Sequence, residues 1–149
     1  MRAMIRARNP RRDDRTILDL VKRELFVFTV RTMPNARWDP SDVRRRLDRN
    51  VTFVAAPTGT KPVGFVSVRS AGGAMLLDLL AVDRNSQGQG WGTALLRQAE
   101  SYARSRGYRE MKLFVDEANV KARRFYARLG YYEERYVPSL SYIGLAKRI

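Results

Sequence analysis

Gln87-Gly88-Gln89-Gly90-Trp91-Gly92-Thr93 is the stretch of this chain best suited to hold a charged ligand. It follows the apolar run Leu79-Leu80-Ala81-Val82 and a polar turn, and it opens an amphipathic segment. A Gly-rich loop between a strand and a helix aims free backbone N–H groups and the positive end of a helix dipole at one spot. That is a phosphate or pyrophosphate site. Glycine lets the backbone approach such a ligand closely. Three loop patterns compete. A Walker A loop ends in Gly-Lys-Ser/Thr, and no lysine lies between Gly88 and Thr93. A dinucleotide fingerprint needs glycines directly after the strand and an acid about 20 residues on. Asp116 satisfies the second demand, but residues 83–87 separate strand from glycines and too little chain follows for a doubly wound sheet. The third pattern, Gln/Arg-x-x-Gly-x-Gly/Ala, is filled by Gln87, Gly90 and Gly92. The plain alternative is a turn without a ligand.

A second block, Asn119-Val120-Lys121-Ala122-Arg123-Arg124-Phe125-Tyr126-Ala127-Arg128-Leu129-Gly130-Tyr131, has its own physics. Asn119 is a helix cap. Ala122, Phe125 and Leu129 recur at helical spacing, and Gly130 fits the left-handed C′ position. Between Gly92 and Asn119 there is room for one helix (93–106, closed by Gly107) and one strand (110–116). Together the two blocks resemble the acetyl-CoA loop and the following helix of the GNAT N-acetyltransferase superfamily. The second block is also similar to that of ribosomal-protein N-terminal acetyltransferases, although Phe114 stands where that group carries a glutamate.

The remaining elements agree with the resemblance. Met4 to Arg8 reads as a first strand. Asp13 or Asp14 is expected to cap a helix with Ile17, Leu18, Val21, Leu25 and Phe28 on one face. Asp39-Pro40-Ser41-Asp42 starts a second helix. A meander follows, with strands at 51–56, 62–68 and 75–82 and turns at 57–61 and 71–73. Strands at 132–136 and 142–146 close the chain around Pro138-Ser139. The order β-α-α-β-β-β-α-β-α-β-β implies one α+β (α/β/α) domain over residues 1–149. It has a mixed, mostly antiparallel sheet of about seven strands and four helices.

With no Cys and no His among 149 residues, disulfides, thiolate or imidazole metal sites and a Cys or Ser-His-Asp nucleophile are excluded. Direct attack of an amine on a thioester in a ternary complex needs no enzyme nucleophile. Tyr126 is the candidate acid, because a phenol with pKa about 10 stays protonated while a thiolate with a conjugate pKa of about 8.5 departs. The resemblance gives Tyr126 the same role. It also implies that acetyl-CoA is held by Leu80, Ala81, Val82, Gln87, Gly88, Gln89, Gly90, Trp91, Gly92, Thr93, Asn119, Arg123, Phe125 and Tyr126, in an opening between the 75–82 and 110–116 strands. The base is a carboxylate, directly or through water. Asp78 is the first candidate, since strict alternation puts it on the face of Leu80 and Val82. Glu24 on the first helix is the second, and Asp116 and Glu117 follow.

The formal net charge is +14, carried mostly by arginine. Such a field draws anions, CoA among them, with Lys121, Arg123 or Arg124 near its phosphates, and it disfavours polycationic acceptors unless acids shield the cleft. The acceptor is a small amine or a protein N-terminus or lysine, and the chain is a monomer or homodimer. No membrane span or secretion signal is read, so a cytoplasmic location is expected. Two other functions compete: a noncatalytic acyl-CoA-binding module, and a basic nucleic-acid-binding protein. The second lacks any RNP, helix-turn-helix or zinc-finger pattern, so no specific nucleic acid is expected.

Overall fold

The computed structural model describes residues 4–57 and 61–149. The turn expected at 57–61 falls largely outside them. Seven strands form one sheet in the order β1-β2-β3-β4-β5-β7-β6. They are β1 (Ile5–Ala7), β2 (Val51–Ala55), β3 (Gly64–Ala71), β4 (Ala74–Val82), β5 (Glu110–Asp116), β6 (Tyr132–Val137) and β7 (Tyr142–Arg148). Every neighbouring pair is antiparallel except β4 and β5. The helices are α1 (Pro10–Leu20), α2 (Val27–Thr32), α3 (Pro40–Arg49), α4 (Trp91–Ser105) and α5 (Val120–Arg128). A π-helical turn, Val21–Phe26, joins α1 to α2 without a break, so the five segments make the four rods expected.

Two apolar layers sandwich the sheet. Ile17, Leu20 and Val21 of the first rod and Val43 and Leu47 of α3 pack on Val54, Phe65, Leu79 and Ala81. On the other face Leu95, Leu96, Ala99 and Ala103 of α4 and Tyr126 of α5 pack on Val66, Val68, Leu77, Met111 and Leu113.

The first helix begins earlier than Asp13 or Asp14. Asn9 is its cap, accepting from the N–H groups of Arg11 and Arg12, and Pro10 occupies the first helical position. Asp13 and Asp14 are buried and pair with β1 instead. Arg6 grips Asp13 with two bonds of 2.7 and 2.9 Å, and Arg8 grips Asp14 with two of 2.7 and 2.8 Å. A buried carboxylate needs such a fork more than an exposed helix end needs a cap. At α3 the expected Asp39 cap and Pro40 start are present.

The sheet opens where the site lies. β4 and β5 pair only at Met75–Met111, Leu76–Lys112 and Leu77–Leu113. Beyond those pairs β4 stays with β3, and β5 stays with β7. A bulge marks the divergence. Ser67 opposes Leu79 and Val68 opposes Leu77, which leaves Asp78 as the extra residue.

Candidate active site

The loop after β4 is shaped by three glycines with different reasons to be glycine. Gly88 and Gly90 have φ of 77° and 90°, a region that disfavours any side chain. A Cβ at either would meet nothing within 4 Å, so the space above this backbone is open. Gly92 lies inside the helix, where a Cβ would come within 3.3 Å of the Phe125 ring. Its bareness lets α4 pack on α5. Gly90 is also the N-cap of α4 and brings no side chain to the first-turn N–H groups, which include those of Trp91, Gly92 and Thr93. Those donors and the dipole of a 15-residue helix face the open space.

Side chains brace the loop from both sides. Gln87 donates to the Val82 carbonyl at 2.9 Å and accepts from Lys121 Nζ at 2.6 Å. Trp91 Nε1 donates to Gln89 at 3.2 Å. Lys121 is thereby the cation of α5 held at the loop. Arg123 bonds the Glu117 carbonyl and the Glu133 carboxylate, each at 3.1 Å, and is engaged away from it.

The open sheet leads into a cleft of about 560 Å³, within the range of small-molecule sites. Leu76–Leu80 of β4, Phe114, Val115 and Asp116 of β5, and Asn119 and Tyr126 line it. Its far wall is aromatic, with Phe26, Phe28, Trp38 and Tyr142. Asn119 caps α5 by accepting from Ala122 N at 3.2 Å. That cap fixes the helix carrying Phe125 and Tyr126. The Tyr126 ring sits edge-on between Phe125 and Tyr131, with centroids 5.2 and 5.7 Å away. Burial pushes the Tyr126 hydroxyl well above the usual phenol range, so it keeps its proton at neutral pH.

The bulge changes the reading of Asp78. Leu77 and Met75 face the α4 layer, as do Leu80 and Val82, whereas Leu79 and Ala81 face the layer of α1 and α3. Asp78 is therefore not on the face of Leu80 and Val82; it turns toward α3. There Arg46 binds it at 2.7 and 3.2 Å and Asn50 at 2.9 Å. Burial opposes the charge, but the bonds from Arg46 and Asn50 prevail and hold the carboxyl below its ordinary range. Asp78 still lines the cleft.

Glu24 does not line it. In the π turn, bonds run from i to i+5, and Val21, Leu25 and Phe26 line the cleft. The Glu24 Oε2 is nonetheless buried with no hydrogen-bond partner. One Glu24 oxygen lies 3.6 Å from Arg23 Nη1. Asp116 does line the cleft. Its Oδ1 accepts from Ala118 N at 2.9 Å, and its Oδ2 is buried with no hydrogen-bond partner. Arg46 and the aromatic wall of Phe26 and Trp38 escaped sequence reasoning. Three successive arginines at 44–46 look alike until α3 packs.

Glu100 was missed as well. It is 1% exposed in the middle of α4. Tyr131 Oη donates to its Oε2 at 2.8 Å and Lys147 Nζ at 2.9 Å. Burial and the Glu100 charge push the Tyr131 hydroxyl far up, so it remains a donor. Tyr131 in turn backs the Tyr126 ring. Among the described residues no group of three or more His, Cys, Asp or Glu could hold a metal ion.

Residues 16–131 match the description Acetyltransferase (GNAT) family. An uncharacterized N-acetyltransferase of Methanocaldococcus jannaschii is 35% identical in a match that covers 76% of this chain and 52% of that protein. The chain thus spans about half the length of the curated relative it matches. Among solved structures, the PaiA N-acetyltransferase of Thermoplasma acidophilum in complex with coenzyme A superposes with a TM-score of 0.82 at 18% identity over 100% of both chains. The ribosomal-protein-S18-alanine N-acetyltransferase of Escherichia coli gives 0.78 at 20% identity over 99% of this chain and 94% of that one. At these identities the two structures establish a shared fold.

Proposed function

The chain belongs to the acetyltransferase (GNAT) family, and from that premise we propose that it moves an acetyl group from acetyl-CoA to a primary amine bound beside it. The observation that carries this reading is the cleft in which the β4–β5 opening and Tyr126 meet, lined by β4, the strand that leads into the Gly-rich loop. Acetyl-CoA supplies the activated thioester. The residues fit it: open space over Gly88 and Gly90, uncapped N–H groups on α4, and Lys121 held at the loop are suited to its phosphates. Beyond Leu77 β4 no longer pairs with β5, so its backbone up to Ala81 is suited to bond the pantetheine amides and the thioester carbonyl, while the Val82 carbonyl is taken by Gln87.

Tyr126 gives its proton to the departing sulfur as the carbon–sulfur bond breaks. The attacking nitrogen loses its proton to a carboxylate, directly or through water. Both Asp78 oxygens are already engaged by Arg46 and Asn50. We therefore assign Asp78 to the ammonium field of the cleft and proton acceptance to Asp116, whose Oδ2 lacks a partner. Glu24, outside the lining, is the second candidate: its Oε2 is likewise buried without a hydrogen-bond partner, 3.6 Å from Arg23 Nη1. Asp39, Asp42, Asp78 and Asp116 line the cleft beside Arg37, Arg46 and Arg69, so the carboxylates locally offset the +14 field and leave the cleft accessible to a cationic amine.

The test pairs calorimetry with turnover. Acetyl-CoA should bind at one site in the wild type and fail to bind Gly90→Glu. Tyr126→Phe should retain that binding while CoA release with an amine acceptor falls by about 10²–10⁴-fold. Unchanged turnover in Tyr126→Phe would remove the proposed acid.

A further inference from the structure

The chain has a second cleft, of about 450 Å³, at the other end of α4. Its rim carries Arg49, Arg69 and Arg106, and its walls are Tyr102 and Tyr108. Val68 and Met75, both buried, form the floor. No Asp or Glu lines it. Elsewhere Arg6, Arg8, Arg23, Arg45, Arg46, Arg97 and Arg123 each have a carboxylate within 4.0 Å, and Arg69, which also lines the first cleft, adds its charge to those acting on Asp78 there. Among the described residues, none of the three rim arginines lies within 4.0 Å of a carboxylate oxygen. Three guanidinium groups around one hollow repel one another, and an anion relieves that repulsion.

The walls add a second requirement. Arg106 lies over the Tyr102 ring at 5.5 Å, and Phe53 holds that ring edge-on at 5.6 Å. A braced tyrosine beside arginine is a stacking platform for a flat ring, and the arginine fork suits phosphate oxygens. The site is not an extension of the Gly-rich loop. Fifteen residues of helix separate Trp91 from Arg106, about 22 Å at 1.5 Å per residue.

We propose that this cleft binds a nucleotide unit, with its phosphate on Arg49, Arg69 and Arg106 and its base against Tyr102 or Tyr108. The unit is either a free mononucleotide or one residue of a single-stranded chain. The inference does not depend on the acetyl-transfer reading.

Uridine monophosphate and a fluorescein-labelled ten-residue oligouridylate are the probes, titrated at about 0.15 M salt into the full wild-type chain and into Gly90→Glu, which blocks the Gly-rich loop. One-site binding of equal strength in both is expected. Arg49→Glu/Arg106→Glu should weaken it at least tenfold and lower the salt slope for the oligonucleotide by about 1–2. Arg11→Glu/Arg15→Glu, an equal charge change on α1, should weaken it by less than threefold. Binding of both probes marks a mononucleotide site, and binding of the oligonucleotide alone marks a unit read within a chain. The proposal is overturned if neither probe binds, if Gly90→Glu abolishes binding, or if both charge-reversed variants lose affinity equally. In the last case only the overall field is acting.

Discussion

Replacing Lys147 by methionine isolates the buried polar knot behind Tyr126. Glu100 is 1% exposed, and its Oε2 takes the Lys147 ammonium at 2.9 Å and the Tyr131 hydroxyl at 2.8 Å. The other oxygen has only Arg97, 3.6 Å away and largely in water. Removing one partner of a fully buried ion pair costs about 3–5 kcal/mol, because the remaining charge is stranded. Lys147 retains 20% exposure and Tyr131 keeps its bond, so the cost falls to the bottom of that range or just below it. The expected loss is about 2–3 kcal/mol. In Glu100→Gln/Lys147→Met the stranded charge is gone and an amide still accepts from Tyr131. The double variant should therefore be more stable than Lys147→Met alone by about 1 kcal/mol or more. Urea unfolding at pH 7, followed by the fluorescence of Trp38 and Trp91, measures both. A single-variant loss below about 1 kcal/mol, or a double variant less stable than the single, would refute the stranded-charge argument.

Other substitutions probe separate links. Gly92→Ala drives a methyl to 3.3 Å from Phe125 and should cost about 1–3 kcal/mol, with Phe125→Leu restoring part of it; equal stability to wild type in thermal unfolding would show that the contact yields freely. Asn119→Ala removes the α5 cap and should cost about 1 kcal/mol in the same assay, while a neutral result would mean the cap is replaced by water. Burial opposes the Asp13 charge, but Arg6 and the Asn9 N–H outweigh it and the folded carboxyl is lowered. That stabilisation is complete above the unfolded value of about 3.9 and is lost as pH falls through the folded one. Wild-type urea midpoints should thus hold until pH drops below about 4 and then fall, whereas in Arg6→Gln the burial of Asp13 is no longer offset by the guanidinium, so the acid-induced loss should shrink or reverse. Coincident acid profiles would count against the pair.

Much of the fold was legible because its signals are local. Asp39-Pro40 starts α3 and Asn119 starts α5, since a cap acts on N–H groups two or three residues away. The strand expected at 110–116 has those bounds, because its apolar residues alternate. The first helix start was misplaced because Asn9-Pro10 and Asp13-Asp14 both look like caps. Only the arrival of Arg6 and Arg8 beside the two aspartates separates them. Gly92 was read as a ligand glycine, and Phe125, 33 positions later, gives it another task.

The sequence by itself determined the loop at 87–93, the helix of Tyr126, the order of elements and the absence of thiol and imidazole chemistry. Each depends on residue type and near spacing. Tertiary structure decided which carboxylates meet the cleft. The bulge at Asp78 exists only because β3 and β4 pair out of register, and it turns that side chain from the Leu80 face to Arg46. The π turn, with bonds from i to i+5 in place of i+4, puts Leu25 and Phe26 in the cleft lining and leaves Glu24 out of it. The opening between β4 and β5 is likewise a property of two strands 30 or more residues apart that stop pairing after Leu77 and Leu113. A face, a register and an opening are relations between distant segments, and periodicity within one segment carries no record of them.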